Sequence, residues 1–227
     1  MNLIPQCAKC PGTYCASAPM EKLNMDKLPS SCPMRINPEI VMSSVRQYEE
    51  EDVKKLYIPA TITEKEAYQS IRGVIMAVRP RIKELIEFAK LLGVKRIGIA
   101  FCEGLKDEAS RLTKFLEEHG FIVASIICKC GGADKTKLGV DEEHKIAGPR
   151  NFESACNPIL QAELLNRAET ELNVIVGLCI GHDILFTKTS KAPVTTLIVK
   201  DRLLGHNPVI GLYSDYHKHI ISDQKRI

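Results

Sequence analysis

The rhythm of apolar positions changes twice along the chain. Residues 1–35 hold four cysteines and five prolines and show no periodic apolar pattern. Such a segment cannot bury a core of its own, so something else must order it. From Pro38 the spacing turns helical: Ile40, Val41, Val45 and Tyr48 recur on one side, and proline suits a first helical position. Thr63-Glu-Lys-Glu66 reads as a capping box and predicts a helix over 64–78. Pro80 kinks or restarts it, and a second helix runs to Leu92, with Gly93 as its stop.

Beyond Gly93, short apolar runs alternate with amphipathic stretches. Strands are predicted at Lys95–Phe101, Phe121–Ile127, Asn173–Leu178 and Val194–Val199. Helices are predicted over Leu105–His119, from Asn157-Pro158 to near Thr170, and as a short piece over Asp183–Thr189. A long polar loop fills roughly 131–152. This alternation implies an α/β fold: a Rossmann-like parallel sheet of about four strands flanked by helices. The expected organisation is a Cys-rich metal-binding segment, 1–35, followed by an α/β domain, 36–227, with a helical lead-in, 36–93.

Composition narrows the function. A net charge of +3 is too small to argue for nucleic acid, and 6 Phe, 6 Tyr and no Trp give no stacking platform for bases. The longest apolar run, near Asn173–Ile180, is far too short for a membrane span. Met1–Cys7 has no basic region leading into an apolar run, so a cytoplasmic protein is expected. Thiols stay reduced there, and nine cysteines, an odd count, then read as metal ligands or reactive thiols rather than as a disulfide framework.

Cys7, Cys10, Cys15 and Cys32 form the first candidate site. Thiolates suit zinc and iron–sulfur clusters. A four-cysteine zinc knuckle usually has two short pairs, whereas here sixteen residues separate the third cysteine from the fourth. Three close cysteines plus a distant Cys-Pro suit a cluster, with [4Fe-4S] as the expected form and zinc as the alternative. Four unrelated reduced thiols are the bland reading.

The other five cysteines form a pattern once the strands are drawn. Cys102 ends the first strand, Cys128 and Cys130 follow the second, Cys179 follows the third, and Cys156 precedes the helix opened by Asn157-Pro158. In an open α/β sheet, ligands bind at the strands' C-terminal edge. Convergence of Cys102, Cys128, Cys156 and Cys179, with Cys130 near or just outside the group, gives a second cluster or a thiol active site. Buried small hydrophobes are the alternative. The same edge carries His182 and Asp183, for proton transfer or helix capping, and Lys200, Arg202 and His206, for an anionic substrate or a cluster's charge. The loop at 131–152 is a candidate lid. No Gly-x-Gly-x-x-Gly follows the first strand, so a dinucleotide site is poorly supported.

Four segments carry a family resemblance: Cys156–Asn166, Val176–Asp183, Lys191–Val194 and Lys200–Pro208. They resemble the uncharacterised metal-binding family catalogued as domain of unknown function 1847, whose members are similar to proteins of anaerobic bacteria and archaea. The resemblance implies metal binding and names no metal or reaction. Three functions compete. One is an iron–sulfur protein with one or two clusters, acting on an unidentified small molecule or redox partner. The second is a zinc-stabilised thiol enzyme or sulfur carrier. The third is a non-catalytic metal sensor or storage module.

Overall fold

A computed structural model describes residues 4–222, which fall into two units, one up to Ile62 and one from Thr63 on. The first unit opens with four single turns of 3-10 helix, at Cys7–Lys9, Tyr14–Ala16, Met20–Lys22 and Met25–Lys27. Three helices follow: α1 (Pro33–Ile36), α2 (Pro38–Gln47) and α3 (Glu51–Glu66), within which the division falls. Among the described residues of this unit only Leu28 is buried. Its backbone carbonyl accepts the Arg35 guanidinium at 3.0 Å, and Gln6 N–H reaches the Ser31 carbonyl at 3.3 Å.

The second unit begins with a correction. The helix predicted over 64–78 is not there. Instead α3 ends at Glu66, and β1 (Tyr68–Ile71) pairs antiparallel with β2 (Val74–Ala77). Arg72 and Gly73 form the two-residue turn, both with positive φ, 53° and 80°. That is the backbone a tight hairpin demands, and glycine at the second position supplies it without strain. Thr63 closes a helix rather than opening one: its carbonyl accepts the Ala67 N–H at 3.1 Å.

From there the predicted alternation holds. The elements are α4 (Arg81–Leu91), β3 (Arg96–Phe101), α5 (Lys106–Glu118), β4 (Ile122–Ile127), α6 (Pro158–Arg167), β5 (Leu172–Val176), α7 (His182–Thr189), β6 (Val194–Ile198), α8 (Ile210–Tyr213) and α9 (Asp215–Ser222). The four strands β3 to β6 form one parallel sheet in the order β4-β3-β5-β6. Every residue of β5 is buried, while β6 is half-buried throughout. Continuous apolar runs in central strands are what a parallel sheet covered on both faces requires. α5 and α6 both pack on β3 and β4.

Gly98, in the middle of β3, makes room for a neighbour. A Cβ there would stand 2.0 Å from Asn173 Oδ1 and 2.9 Å from Leu165 Cδ1. Asn173 is fully buried and pays no desolvation penalty unmet: Thr170 donates to its Oδ1 at 2.8 Å, and its Nδ2 donates to Ser190 at 2.8 Å. No helix among the described residues is long and apolar enough to cross a membrane.

Candidate metal and thiol sites

In the first unit, Cys7, Cys10, Cys15 and Cys32 all line one cavity of about 220 Å³. Gly12, Tyr14, Leu28, Pro29 and Met34 complete much of its wall. The turns at Cys7–Lys9 and Tyr14–Ala16 set the first three thiols, and Cys32 immediately precedes α1. Cys10 donates its S–H to the Gly12 carbonyl at 2.8 Å. A zinc ion bound at about 2.3 Å would draw its thiolates to within about 3.8 Å of one another. Among the described residues, only Asp141, Glu143 and His144 bring three or more such ligand atoms within 4.8 Å of each other. Those three are exposed. The four N-terminal sulfurs therefore stand wider apart than a zinc tetrahedron.

The second set is built by the sheet. Chain order and strand order diverge at β3: the chain goes out to β4, then returns to β5 on the other side of β3. Ligand sites of open α/β sheets lie outside the strand ends at such a reversal. Cys102 follows β3 and Cys128 follows β4, one step past the register pair Phe101 and Ile127. Both keep their sheet hydrogen bonds: Cys102 N–H reaches the Val176 carbonyl at 3.2 Å, and Cys128 N–H the Phe101 carbonyl at 2.9 Å. Side chains alternate along a strand, so Cys102 shares the face of Gly98 and Ala100. That is the face covered by α6, because Leu165 lies over Gly98.

α6 brings the third thiol. Its N-cap, Asn157, accepts the Leu160 N–H at 3.0 Å and is followed by Pro158 at the first helical position. The Asn157 N–H in turn donates to the Cys128 carbonyl at 2.8 Å, which fixes the helix start, and so Cys156, beside the end of β4. Cys128 lies between the other two thiols and interacts with both. It also accepts the Glu103 N–H at 3.4 Å. Cys102 and Cys128 are buried and Cys156 is half-buried.

Electrostatics differ along this row. The Cys102 thiol is held well below its ordinary value, first by the Cys128 hydrogen bond, then by the Gly104 N–H and the Lys200 ammonium. Cys156 falls to about 6, first through Cys128 and then through the charges of Lys129 and His182. Cys128 is driven up, first by its interaction with Cys102, then by that with Cys156 and by burial. One proton thus stays on the central sulfur while its neighbours favour the thiolate.

The remaining expected residues divide. His182 and Lys200 face the row through Cys156 and Cys102. Cys179 accepts the Arg202 guanidinium at 2.8 Å. Cys130 sits in the turn leaving β4, its N–H bonded to the Ile127 carbonyl at 3.2 Å. Asp183 takes the capping role: its Oδ1 accepts the Gly181 N–H at 2.9 Å and the Ile184 N–H at 2.8 Å. His206 Nδ1 accepts the Asp201 N–H at 3.1 Å and stabilises the turn after β6. The loop over 131–152 is tied down: Lys145, buried, meets Asp134 at 2.9 Å, Glu142 at 3.2 Å and the Asn151 carbonyl at 2.9 Å.

Sequence reasoning missed two residues here. Lys129 supplies charge to Cys156, and its place between Cys128 and Cys130 was the available signal. Gln161, fully buried on α6, donates from Nε2 to the Ile126 carbonyl at 2.7 Å and the Phe101 carbonyl at 3.3 Å. It clamps together the two strand ends that carry Cys102 and Cys128. An amide on the inner side of an amphipathic helix was its only signal.

The family described as "Protein of unknown function (DUF1847)" matches residues 32–197. The chain belongs to the DUF1847 family. The DUF1847 match begins at Cys32 and takes in all five later cysteines, while Cys7, Cys10 and Cys15 lie before it. A relative, "Uncharacterized protein MJ0455" of Methanocaldococcus jannaschii, is 46% identical over 179 residues, which is 79% of this chain and 86% of that one. Neither match assigns a reaction, so for this DUF1847 chain the chemistry is argued from geometry.

Proposed function

We propose that the chain is an iron–sulfur protein with a separate thiol site at the C-terminal edge of a Rossmann-like sheet. Cys7, Cys10, Cys15 and Cys32 hold the cluster, of [4Fe-4S] type. The observation that carries this reading is the single cavity of about 220 Å³ lined by all four. Two others support it. The unit buries almost nothing else, which suits a segment folded by its ligand. Its sulfurs are spread wider than zinc requires, and thiolates on the corners of a four-iron cluster stand roughly 6–7 Å apart.

When bound, such a cluster supplies one-electron transfer or, at an open iron, Lewis acidity. The edge reads as a thiol site because the ends of β3 and β4 and the start of α6 bring Cys102, Cys128 and Cys156 together, while Cys179 is engaged by Arg202. Lys129, Lys200 and His182 around the row suit a small anionic substrate. The test is metal analysis with an absorption spectrum on anaerobically purified protein. A brown protein with about four irons per chain is expected. A colourless protein carrying one zinc overturns the cluster.

A further inference from the structure

We propose that Cys102, Cys128 and Cys156 form a thiol–disulfide exchange centre for a small anionic disulfide, in which Cys156 attacks and Cys128 resolves. The proposal rests on reading the sheet edge as a thiol site rather than a second cluster.

Exposure assigns the roles. Cys128 is 2% exposed and Cys102 9%, whereas Cys156 is half-buried, so of the three only Cys156 is open to a substrate. Position assigns the resolving thiol, since Cys128 is the one that interacts with both others. Each bond it would form has a backbone already in place. Cys102 and Cys128 are neighbours across adjacent parallel strands, whose spacing of about 4.8 Å lies inside the Cα window of a disulfide. Cys156 is held beside Cys128 by the 2.8 Å hydrogen bond from Asn157 N–H to the Cys128 carbonyl. The ammonium groups of Lys129 at Cys156 and Lys200 at Cys102, with the His182 imidazole beside Cys156, favour a negatively charged partner. Of the nearby acidic residues, Asp183 is occupied by two backbone N–H groups, and Glu103, next to Cys102, gives its backbone N–H to Cys128.

The chemistry balances without a further reactant. The Cys156 thiolate attacks one sulfur of R–S–S–R, giving the mixed disulfide Cys156–S–S–R and one RS⁻. Cys128 then attacks the Cys156 sulfur. A Cys128–Cys156 disulfide forms, and the second R–S group leaves as RSH with the proton that Cys128 carried. Two cysteines are oxidised as one substrate disulfide is reduced. Attack by Cys102 on Cys128 moves the disulfide to the cross-strand pair and frees Cys156 again. A small thiol in excess runs the sequence backwards.

The full chain, prepared anaerobically, is treated with oxidised glutathione and separately with cystamine, an anionic and a cationic disulfide. Peptides are mapped by mass spectrometry without reduction, and iron is measured on the same samples. The expected result is a link from Cys128 to Cys156 or Cys102. It should form at least about tenfold faster with oxidised glutathione, once each reagent is normalised to free cysteine. In Cys128→Ser, glutathione should remain attached to Cys156, whereas the unaltered chain should release it; a merely structural Cys128 would leave it attached in both. In Cys156→Ser, neither buried thiol should react. Absence of any link among the three in the unaltered chain overturns the proposal, whether or not the variants fold. Equal rates with the two reagents overturn the anionic substrate. Loss of iron in Cys128→Ser overturns the thiol reading of the edge as well. Linkage without any iron sinks the N-terminal cluster alone and leaves this proposal standing.

Discussion

The two cysteine-rich regions solve opposite problems. In the first unit the thiols line a cavity inside a segment with one buried residue, Leu28. In the second, Cys102 and Cys128 belong to a core of packed apolar side chains that includes Ile97, Ile99, Leu165 and Val174. A cluster held by the first region, as proposed, would be what orders it. The second folds first and holds its sulfurs as a consequence. Similar residues therefore have different dependencies: one set should respond to metal, the other to packing and charge.

Removal of metal is the strongest way to break this contrast. Chelation of oxidised protein, or Cys10→Ala, should expose residues 4–35 to protease while the sheet unit survives as a stable fragment. Gel analysis of a limited digest checks it. Equal resistance in both regions, with and without metal, would show that the first unit has a fold of its own.

Gly98→Ala is the reverse experiment. The new methyl would meet Asn173 Oδ1 at 2.0 Å and Leu165 Cδ1 at 2.9 Å, inside a packed core. Overpacking of this kind costs about 3 kcal/mol. For a unit of this size it should lower the Tm by roughly 6–12 °C, with bound metal unchanged. Calorimetry with metal analysis tests both halves.

A smaller effect sharpens the chemistry of the edge. Cys156 is lowered to about 6, so its alkylation by iodoacetamide should rise as pH passes through about 6, where an ordinary cysteine responds near 8.5. The sign for stability follows. A depressed thiol favours the folded state fully above its unfolded value, and that contribution is lost as pH falls through about 6. Rates of labelling at Cys156, followed by mass spectrometry from pH 5 to pH 9, give the curve.

The smallest effect is local. Lys145→Met removes the ammonium shared by Asp134, Glu142 and the Asn151 carbonyl. Faster hydrogen exchange over 131–152 is expected, with little change in the Tm. Asp134, held below the ordinary carboxylate range chiefly by Lys145, should titrate closer to its usual value in this variant.

The sheet was legible because its strands are continuous apolar runs bounded by glycine and polar residues, and Lys95–Phe101 and Asn173–Leu178 match β3 and β5 to within two residues. The strand ends were legible for the same reason, which is why the sequence put Cys102, Cys128, Cys156 and Cys179 at one edge, with Cys130 near or just outside the group. The hairpin was not. Thr63–Glu66 matches a helix start by residue type, but the same four residues close α3, whose interior proline, Pro59, hid the helix before them. Only Arg72-Gly73, followed by the β-branched pair Val74-Ile75, spoke for a turn. Nor could spacing show that Arg202 engages Cys179, since that contact depends on where the turn after β6 leads its guanidinium.

The separation of the two cysteine sets has a consequence in time. A growing chain presents Cys7, Cys10, Cys15 and Cys32 long before Cys102, which follows Cys32 by seventy residues. At about 5–20 residues per second, roughly 4–14 seconds pass between them. During that interval no later cysteine of the same chain could compete with the early thiols for a metal donor. The later set then emerges over residues 102–179, from the end of β3 to just past β5. Fusing the first unit after the sheet would reverse this schedule, and the loading of newly made protein with iron would report whether the order matters.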